Sequence, residues 1–292
     1  MTTAISLSGV SVTLCIPSYN RANIVAETLD SILRQSRPDW EAVVVDDGST
    51  DGSFEMIAGY ARADSRIKLR KRDREPKGAC TCRNLAVEQA AGRYVMFLDT
   101  DDLLAPFCIA QRVRVLDAAP NIDFAIFPMY VFKGSPGENK RLWNIETKED
   151  VLLRLLRMDP ICQGSGTLWR REAFIRCGPW DEELLIWQDI ELHLRAFTGR
   201  FRCTTHFHLP PDVYLRESDN SLSRGQYYSR EKLRSRAAVA KRAVNLLRQS
   251  GRDELIPNVR YLCSSVALGC AASGNLDLAR DMRIWGKAEG VL

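Results

Sequence analysis

Between residues 11 and 99 the chain alternates short apolar runs with stretches of helical periodicity, and this alternation leaves few folds open. "SVTLCIP" (11–17), "WEAVVVDD" (40–47) and "YVMFLD" (94–99) are β-rich runs that each end in polar or acidic residues or at a proline. Between them, "RANIVAETLDSILRQS" (21–36) sets Ile24, Leu29, Ile32 and Leu33 near a helical repeat. "TDGSFEMIAGYARAD" (50–64) reads as a helix opened by a polar cap, and "TCRNLAVEQAAG" (81–92) as one closed by Gly92. "RIKLRKR" (66–72) alternates like an edge strand blunted by charge. Strands and helices in turn predict a parallel α/β sheet with helices on both faces. Continuous apolar runs suit strands covered on both sides.

The pattern then loosens. "IDFAIFPMYVFK" (122–133) predicts one or two strands and "EDVLLRLLRM" (149–158) a helix. "QGSGTLWRREAFIRCG" (163–178) predicts a glycine-rich loop joined to a short helix, and "WQDIELHLRAFTG" (187–199) a helix with an acid near its start. From about residue 229 the chain reads as helical, ending in two helices around "SGN" (273–275). A length of 292 residues predicts one large domain, 1–228, with a helical appendage, 229–292.

Composition bounds the compartment. "MTTAISLSGV" has no positive n-region, and no stretch reads as the ~20 apolar residues of a membrane span. Nine cysteines with no CxxC pair predict reduced core residues in a cytosolic protein rather than a disulfide framework or zinc site. Net charge is +4, but 229–292 carries 12 Lys or Arg against 6 Asp or Glu, or +6, which leaves −2 for the rest. Two readings of that tail stay open: a packed or self-associating appendage, favoured by its Ala-rich apolar face, and weak contact with anionic lipid at the inner face of the membrane. Nucleic acid is not expected, because the basic run 66–74 lacks interleaved aromatics and the domain is not basic overall.

Chemistry gathers at the strand ends, where open α/β sheets bind ligands. The first strand supplies Pro17, Ser18, Tyr19 and Asn20, and the second Asp46, Asp47, Gly48 and Ser49. The third, "YVMFLDTDDLLAP" (94–106), supplies Asp99, Asp101 and Asp102. Carboxylates on a rigid strand suit a hard divalent cation, Mg²⁺ or Mn²⁺, that keeps waters and shares a diphosphate. The plainer reading is that Asp101 or Asp102 caps the next helix, which leaves Asp99 unexplained.

In "IPSYN" (16–20), "VVVDDGSTD" (43–51), "KGACTCRN" (77–84), "FLDTDD" (97–102) and "GTLWRREAFIRCGPWDEELLIWQDIELHLR" (166–195), the chain resembles the family 2 glycosyltransferases of GT-A fold. The resemblance covers roughly residues 11–223. It implies a mixed, mostly parallel central sheet flanked by helices. It also implies inverting transfer of a sugar from a nucleotide-diphosphate sugar, UDP most of all, to a glycan, lipid-linked or small-molecule acceptor. Pro17 and Tyr19, beside Asn20, would border the base; Asp47 would accept its N–H, and Asp46 keeps an open role. Arg83, approached through Lys77, would face base or diphosphate. Asp99 would bind the ribose and Asp101 the metal.

The base would be the second acid of a Glu-Asp pair, which here reads Gln188-Asp189, so Asp189 is the candidate. A second departure lies in "YLRESDNSLS" (214–223), where Ser218 stands at the place of a His in many relatives, leaving Arg216 and Ser221. Water would then complete the metal shell, or Arg216 would carry the diphosphate charge. Gly166 in "GSG" (164–166) would shape the acceptor side, which Trp169, Trp180 and Trp187 would flank unless they are core. His206 and His208, two apart on a strand, would share a face. The rival readings are a nucleotidyltransferase, whose glycine-rich basic loop "IPSYNRAN" lacks, and a non-catalytic sugar-nucleotide-binding relative.

Overall fold

The structure is a computed structural model and describes residues 9–217 and 226–292. The chain forms two compact units. One comprises Met1–Trp143, Gly164–Trp180 and Arg202–Arg216, the other Asn144–Gln163, Asp181–Phe201 and Glu217–Leu292. Residues 144–163 and 181–201, placed by the sequence reading in the 1–228 domain, thus group with the C-terminal helices.

The first unit is built on β1 (Val12–Ser18), α1 (Val25–Leu33), β2 (Trp40–Asp46), α2 (Ser53–Ala63), β3 (Ile67–Lys71), α3 (Ala79–Glu88) and β4 (Tyr94–Phe97). β4, β1, β2 and β3 lie side by side and parallel, with β3 at the edge as its charged alternation requires. β1 and β2 are buried along their whole length, which their unbroken apolar runs demand. α1 buries Val25, Leu29 and Ile32 on one face. α3 ends at Glu88, before Gly92; a Cβ on Gly92 would stand 2.5 Å from the Thr13 backbone nitrogen, so this glycine serves the close approach to β1 rather than the helix cap.

Further on come β5 (Leu103–Leu104), α4 (Cys108–Ala118), β6 (Phe124–Ile126), β7 (Met129–Phe132) and β8 (Arg141–Leu142). The unit also holds a 3₁₀ turn (Gly164–Gly166), β9 (Thr167–Arg170), α6 (Arg171–Cys177), β10 (Cys203–Thr205) and β11 (Val213–Arg216). The large sheet runs β10-β6-β9-β4-β1-β2-β3 and a small one β5-β11-β7-β8. β9, which the sequence reading left as loop, is antiparallel to both β4 and β6 and makes the sheet mixed. The 122–133 segment gives two strands, one in each sheet. A fully buried ion pair, Arg112 to Asp212 at 2.6 Å, ties α4 to the approach to β11. Arg112 Nη1 also donates to the Ser165 carbonyl at 2.8 Å, fixing the 3₁₀ turn.

The second unit is helical: α5 (Val151–Leu156), α7 (Gln188–Thr198), α8 (Arg230–Ser250), a 3₁₀ segment (Asp253–Val259), α9 (Arg260–Ser273) and α10 (Leu276–Ala288). Its own apolar core joins Leu155, Trp187, Leu194, Leu233, Val244 and Leu262. Ser229 caps α8, accepting from Lys232 N, and the two last helices meet at Gly274, whose φ of 72° allows the tight turn. The 21 residues Asp253–Ser273 are long and apolar enough to cross a membrane, a run the sequence reading did not find. Leu255, Ile256, Val259, Leu262, Val266 and Leu268 supply most of that apolarity, with alanines and cysteines between them. Val259, Leu262, Cys263, Val266 and Cys270 are buried in the core of this unit. All nine cysteines are free, and all but Cys203 are buried.

Candidate active site

β4, β1 and β2 are neighbours in the sheet, so their carboxyl ends bring Asp99 and Asp101, Pro17 to Asn20, and Asp46 and Asp47 to one edge. The ends of β1 and β2 are stapled together. Asn20, at φ 50°, donates its backbone N–H to Ser49 Oγ at 2.9 Å, and its Oδ1 accepts from Thr50 N at 2.9 Å. Asn tolerates this left-handed backbone better than most residues. Asp46 Oδ2 accepts from Gly48 N and Ser49 N, both at 3.0 Å, an Asx turn that shapes the loop after β2. Asp47, buried, pairs with Arg72 Nε at 2.6 Å. Pro17 is buried in β1; Tyr19 is half-buried, and the Lys77 ammonium sits 3.7 Å from its ring centroid.

At the end of β4, Asp99 Oδ1 accepts from Arg83 Nη2 at 2.7 Å, the arginine nearly buried and the carboxylate 41% exposed. Arg83 also lies over Trp180, 4.8 Å from its centroid. Asp101 is 22% exposed, and its charged partner is Arg21 at 3.7 Å. Burial, and then the Asp99 charge, raise its pKa above the usual carboxylate range against the pull of Arg21. Asp102 is buried and driven well up by burial and by both neighbouring acids. Its oxygens accept from Arg216 N at 3.1 Å and Ser165 Oγ at 3.2 Å. The three acids therefore divide: Asp102 anchors the turn, and Asp99 and Asp101 are left at the surface. Neither Asp101 nor Asp102 caps a helix, since α4 begins at Cys108 with Phe107 before it.

Arg216 closes the turn from β11. Its Nε donates to the Asp101 carbonyl at 3.0 Å and its Nη2 pairs with Glu27 at 2.7 Å. Gly166 lies in the buried 3₁₀ turn against Met129, where a Cβ would come within 2.7 Å of Cε. Trp169 and Trp180 are core: the first stacks on Phe124 at 4.0 Å, the second meets Phe97 edge-on. His206 follows β10 instead of lying on it and stacks on Phe127, and His208 is in the turn beyond. The strand placement expected for the two histidines is thereby corrected: the strand stops at Thr205, and the chain turns. Ser218 and Ser221 lie outside the described residues.

Asp189 belongs to the helical unit, half-buried in the first turn of α7. Gln188 Nε2 donates to the Leu184 carbonyl at 2.7 Å, and Trp187, at φ 63°, is buried at the N-cap. One turn on, His193 Nδ1 lies 2.7 Å from the Asp189 carbonyl, which can only accept, so Nδ1 carries the proton. Burial pushes the His193 pKa down to about 4, which keeps the ring neutral. Glu191, buried, is neutralised by Arg195 at 2.8 Å and by Arg242 at 2.7 Å.

Sequence reasoning singled out the acids together with Arg83 and Arg216, which contact them, and missed the other partners. Arg21, Arg72, Glu27 and Ser165 were not named. Only Arg21 had a signal, since it follows "IPSYN" directly.

Among the described residues no group of three or more His, Cys, Asp or Glu could cage a metal. Asp101, crowded by Asp99, fits a hard cation that takes few protein ligands and completes its shell with diphosphate and water.

A mixed sheet with acids at its carboxyl edge is the architecture of the GT-A nucleotide-sugar transferases. Staphylococcus aureus TarS (1–349) with UDP-GlcNAc superposes with a TM-score of 0.66 at 17% identity, covering 96% of this chain and 92% of that one. A mannosyltransferase from Pyrobaculum calidifontis with GDP-Man and Mn²⁺ gives 0.58 at 21% identity, over 96% and 84%. The chain belongs to glycosyl transferase family 2, whose model matches residues 13–178.

Among curated relatives, a candidate teichuronic acid biosynthesis glycosyltransferase of Bacillus subtilis (strain 168), TuaG, is 45% identical over 91 residues, 31% of this chain and 36% of that protein. The Escherichia coli UDP-Glc:α-D-GlcNAc-diphosphoundecaprenol β-1,3-glucosyltransferase WfgD is 38% identical over 113 residues, 39% of this chain and 43% of that protein. The chain thus spans less than half the length of either relative.

Proposed function

We propose that this glycosyltransferase moves a sugar from a nucleoside diphosphate sugar, a UDP-sugar first, to a hydroxyl of a surface glycan or its lipid-linked precursor, with inversion at the anomeric carbon. The observation that carries this reading is the pair Asp99 and Asp101, left outward at the end of β4 while Asp102 is consumed by the fold. The relatives named above support the surface-glycan setting, and nucleotide-sugar complexes of proteins with this fold support the donor class. The reaction is read as cytoplasmic, where such donors are made.

In this mechanism Tyr19 stacks on the base, with Lys77 over its other face. Asp99, oriented by Arg83, takes the ribose hydroxyls. Asp101 holds Mn²⁺ or Mg²⁺, which when bound supplies Lewis-acid stabilisation of the departing diphosphate. Asp189 accepts the acceptor hydroxyl proton as that oxygen bonds to the anomeric carbon. The bond from that carbon to the diphosphate breaks, and its electron pair leaves with the nucleoside diphosphate. The Gln188 amide stands at the first place of the Glu-Asp pair that the family resemblance implies and is read as positioning the acceptor.

The C-terminal helices are proposed to be a packed appendage or self-association surface. Exposed Leu268, Leu276 and Ile284 favour association over simple solvation. Co-sedimentation with anionic vesicles at low and ~1 M salt separates this from lipid contact, which salt would abolish.

A donor-turnover assay across UDP-, GDP- and dTDP-sugars, with Mn²⁺ and then EDTA, tests the main reading. Turnover of one donor that EDTA abolishes and Mn²⁺ restores is expected. Full turnover in excess EDTA removes the metal from the mechanism. Binding without turnover favours a non-catalytic relative, and pyrophosphate release a nucleotidyltransferase.

A further inference from the structure

The cations around the donor edge are not equally committed. Arg72 is bound to Asp47 at 2.6 Å, Arg83 to Asp99 at 2.7 Å and Arg216 to Glu27 at 2.7 Å. Arg21 differs. Its guanidinium makes no hydrogen bond among the described residues and meets one acid, Asp101, at 3.7 Å. Yet it is only 17% exposed, so its N–H donors are largely withdrawn from water.

Its backbone, by contrast, is fixed. Arg21 N donates to Ser53 Oγ at 2.6 Å, and its carbonyl accepts from Ile24 N at 3.0 Å and Val25 N at 2.9 Å. A pinned main chain thus aims an unspent planar fork at the carboxylate that the proposed function gives to the metal. Such a fork matches phosphate oxygens two at a time.

We infer that Arg21 is a diphosphate-binding residue that exchanges partners. It neutralises Asp101 before the donor is held, and hands Asp101 to the divalent cation as its own N–H groups turn to the donor diphosphate. This rests on the donor reading above and adds a residue to it. The exchange keeps Asp101 and Arg21 neutralised at both stages, and it sets a positive charge where negative charge grows as the leaving group departs.

A purely structural ion pair predicts something else. Removing it would loosen the turn at Asp101, so metal and nucleotide would both bind less well. Exchange predicts opposite signs. Calorimetry on the full chain with Mn²⁺ would compare UDP with UMP and GDP with GMP, for wild type, Arg21→Ala and Arg21→Lys. Mn²⁺ alone would be titrated by electron paramagnetic resonance.

Arg21→Ala should lose about 10–100-fold in affinity for the diphosphate, the loss of charge-assisted hydrogen bonds, and leave the monophosphate nearly unchanged. Without nucleotide it should bind Mn²⁺ more tightly, since a competing cation is gone. Arg21→Lys should recover part of the diphosphate affinity. An unchanged diphosphate-to-monophosphate ratio in Arg21→Ala, or weaker Mn²⁺ binding without nucleotide, overturns the inference while the donor reading stands. A wild type that binds neither diphosphate overturns both.

Discussion

The ends of β2 and β4 carry the same chemistry and put it to different uses. Asp46 and Asp47 are buried, one folded back on two backbone N–H groups and the other clasped by Arg72. Asp99 and Asp101 retain 41% and 22% exposure, and among the described residues Asp101 pairs with one cation, Arg21, at 3.7 Å. The third acid at β4, Asp102, behaves like those at β2, with both oxygens bonded inside the fold. An acid at a sheet edge is therefore not a ligand by position alone. What decides is whether the fold leaves the carboxylate open: Asp47 and Asp99 each hold an arginine, but Asp47 is buried and Asp99 is 41% exposed, and a buried, satisfied carboxylate loses its bonds when it turns to a ligand.

That contrast can be tested by substitution. The largest effect should come from outside it. Asp189→Asn should lower transfer by ~10²–10⁴ with donor binding nearly intact, measured by turnover beside nucleotide calorimetry. Loss of donor binding instead would remove the base assignment. Asp101→Asn comes next: at least ~100-fold less turnover, with the unfolding midpoint unchanged or raised, since a destabilised charge is removed. A raised pKa also means that protons displace the metal early. Mn²⁺ affinity of the wild type should fall as pH drops toward the acid range, sooner than for an ordinary carboxylate, and Asp101→Asn should abolish this dependence.

At β2 the order reverses. Asp46→Ala should cost ~1–2 kcal/mol of stability in urea denaturation, by orphaning the Gly48 and Ser49 N–H groups, and should reduce nucleotide affinity only as the loop loosens. A large catalytic loss with intact stability would erase the distinction between the two ends. The smallest effect belongs to Lys77→Met, which removes a cation from the Tyr19 face and should weaken nucleotide binding about 2–5-fold.

The parallel half of the sheet was legible because its strands are long, continuously apolar and spaced by helices. β9 was not, since four residues, Thr167–Arg170, following a glycine-rich turn carry no period that separates strand from loop. The acids were legible as a cluster at 99–102, and the family resemblance gave roles to Asp99 and Asp101 alone, but the burial of Asp102 was not legible. Which carboxylate becomes buried depends on Ser165 and on Arg216, 63 and 114 residues away in sequence. Arg72 and Arg112 escaped for the same reason: their partners are distant in the chain, and a lone arginine looks like solvated surface until its acid is known.

The late arrival of β9 has a consequence for synthesis on the ribosome. β4 pairs with β1 on one side and β9 on the other, and β9 is made about 70 residues after β4 ends. At ~5–20 residues per second the growing polypeptide carries β4 with an open backbone edge for several seconds. Tyr94, Val95, Met96 and Phe97 make that edge apolar as well as unpaired. The emerging chain is therefore open to intermolecular strand pairing in this interval, and a chaperone that shields extended apolar segments would protect it there.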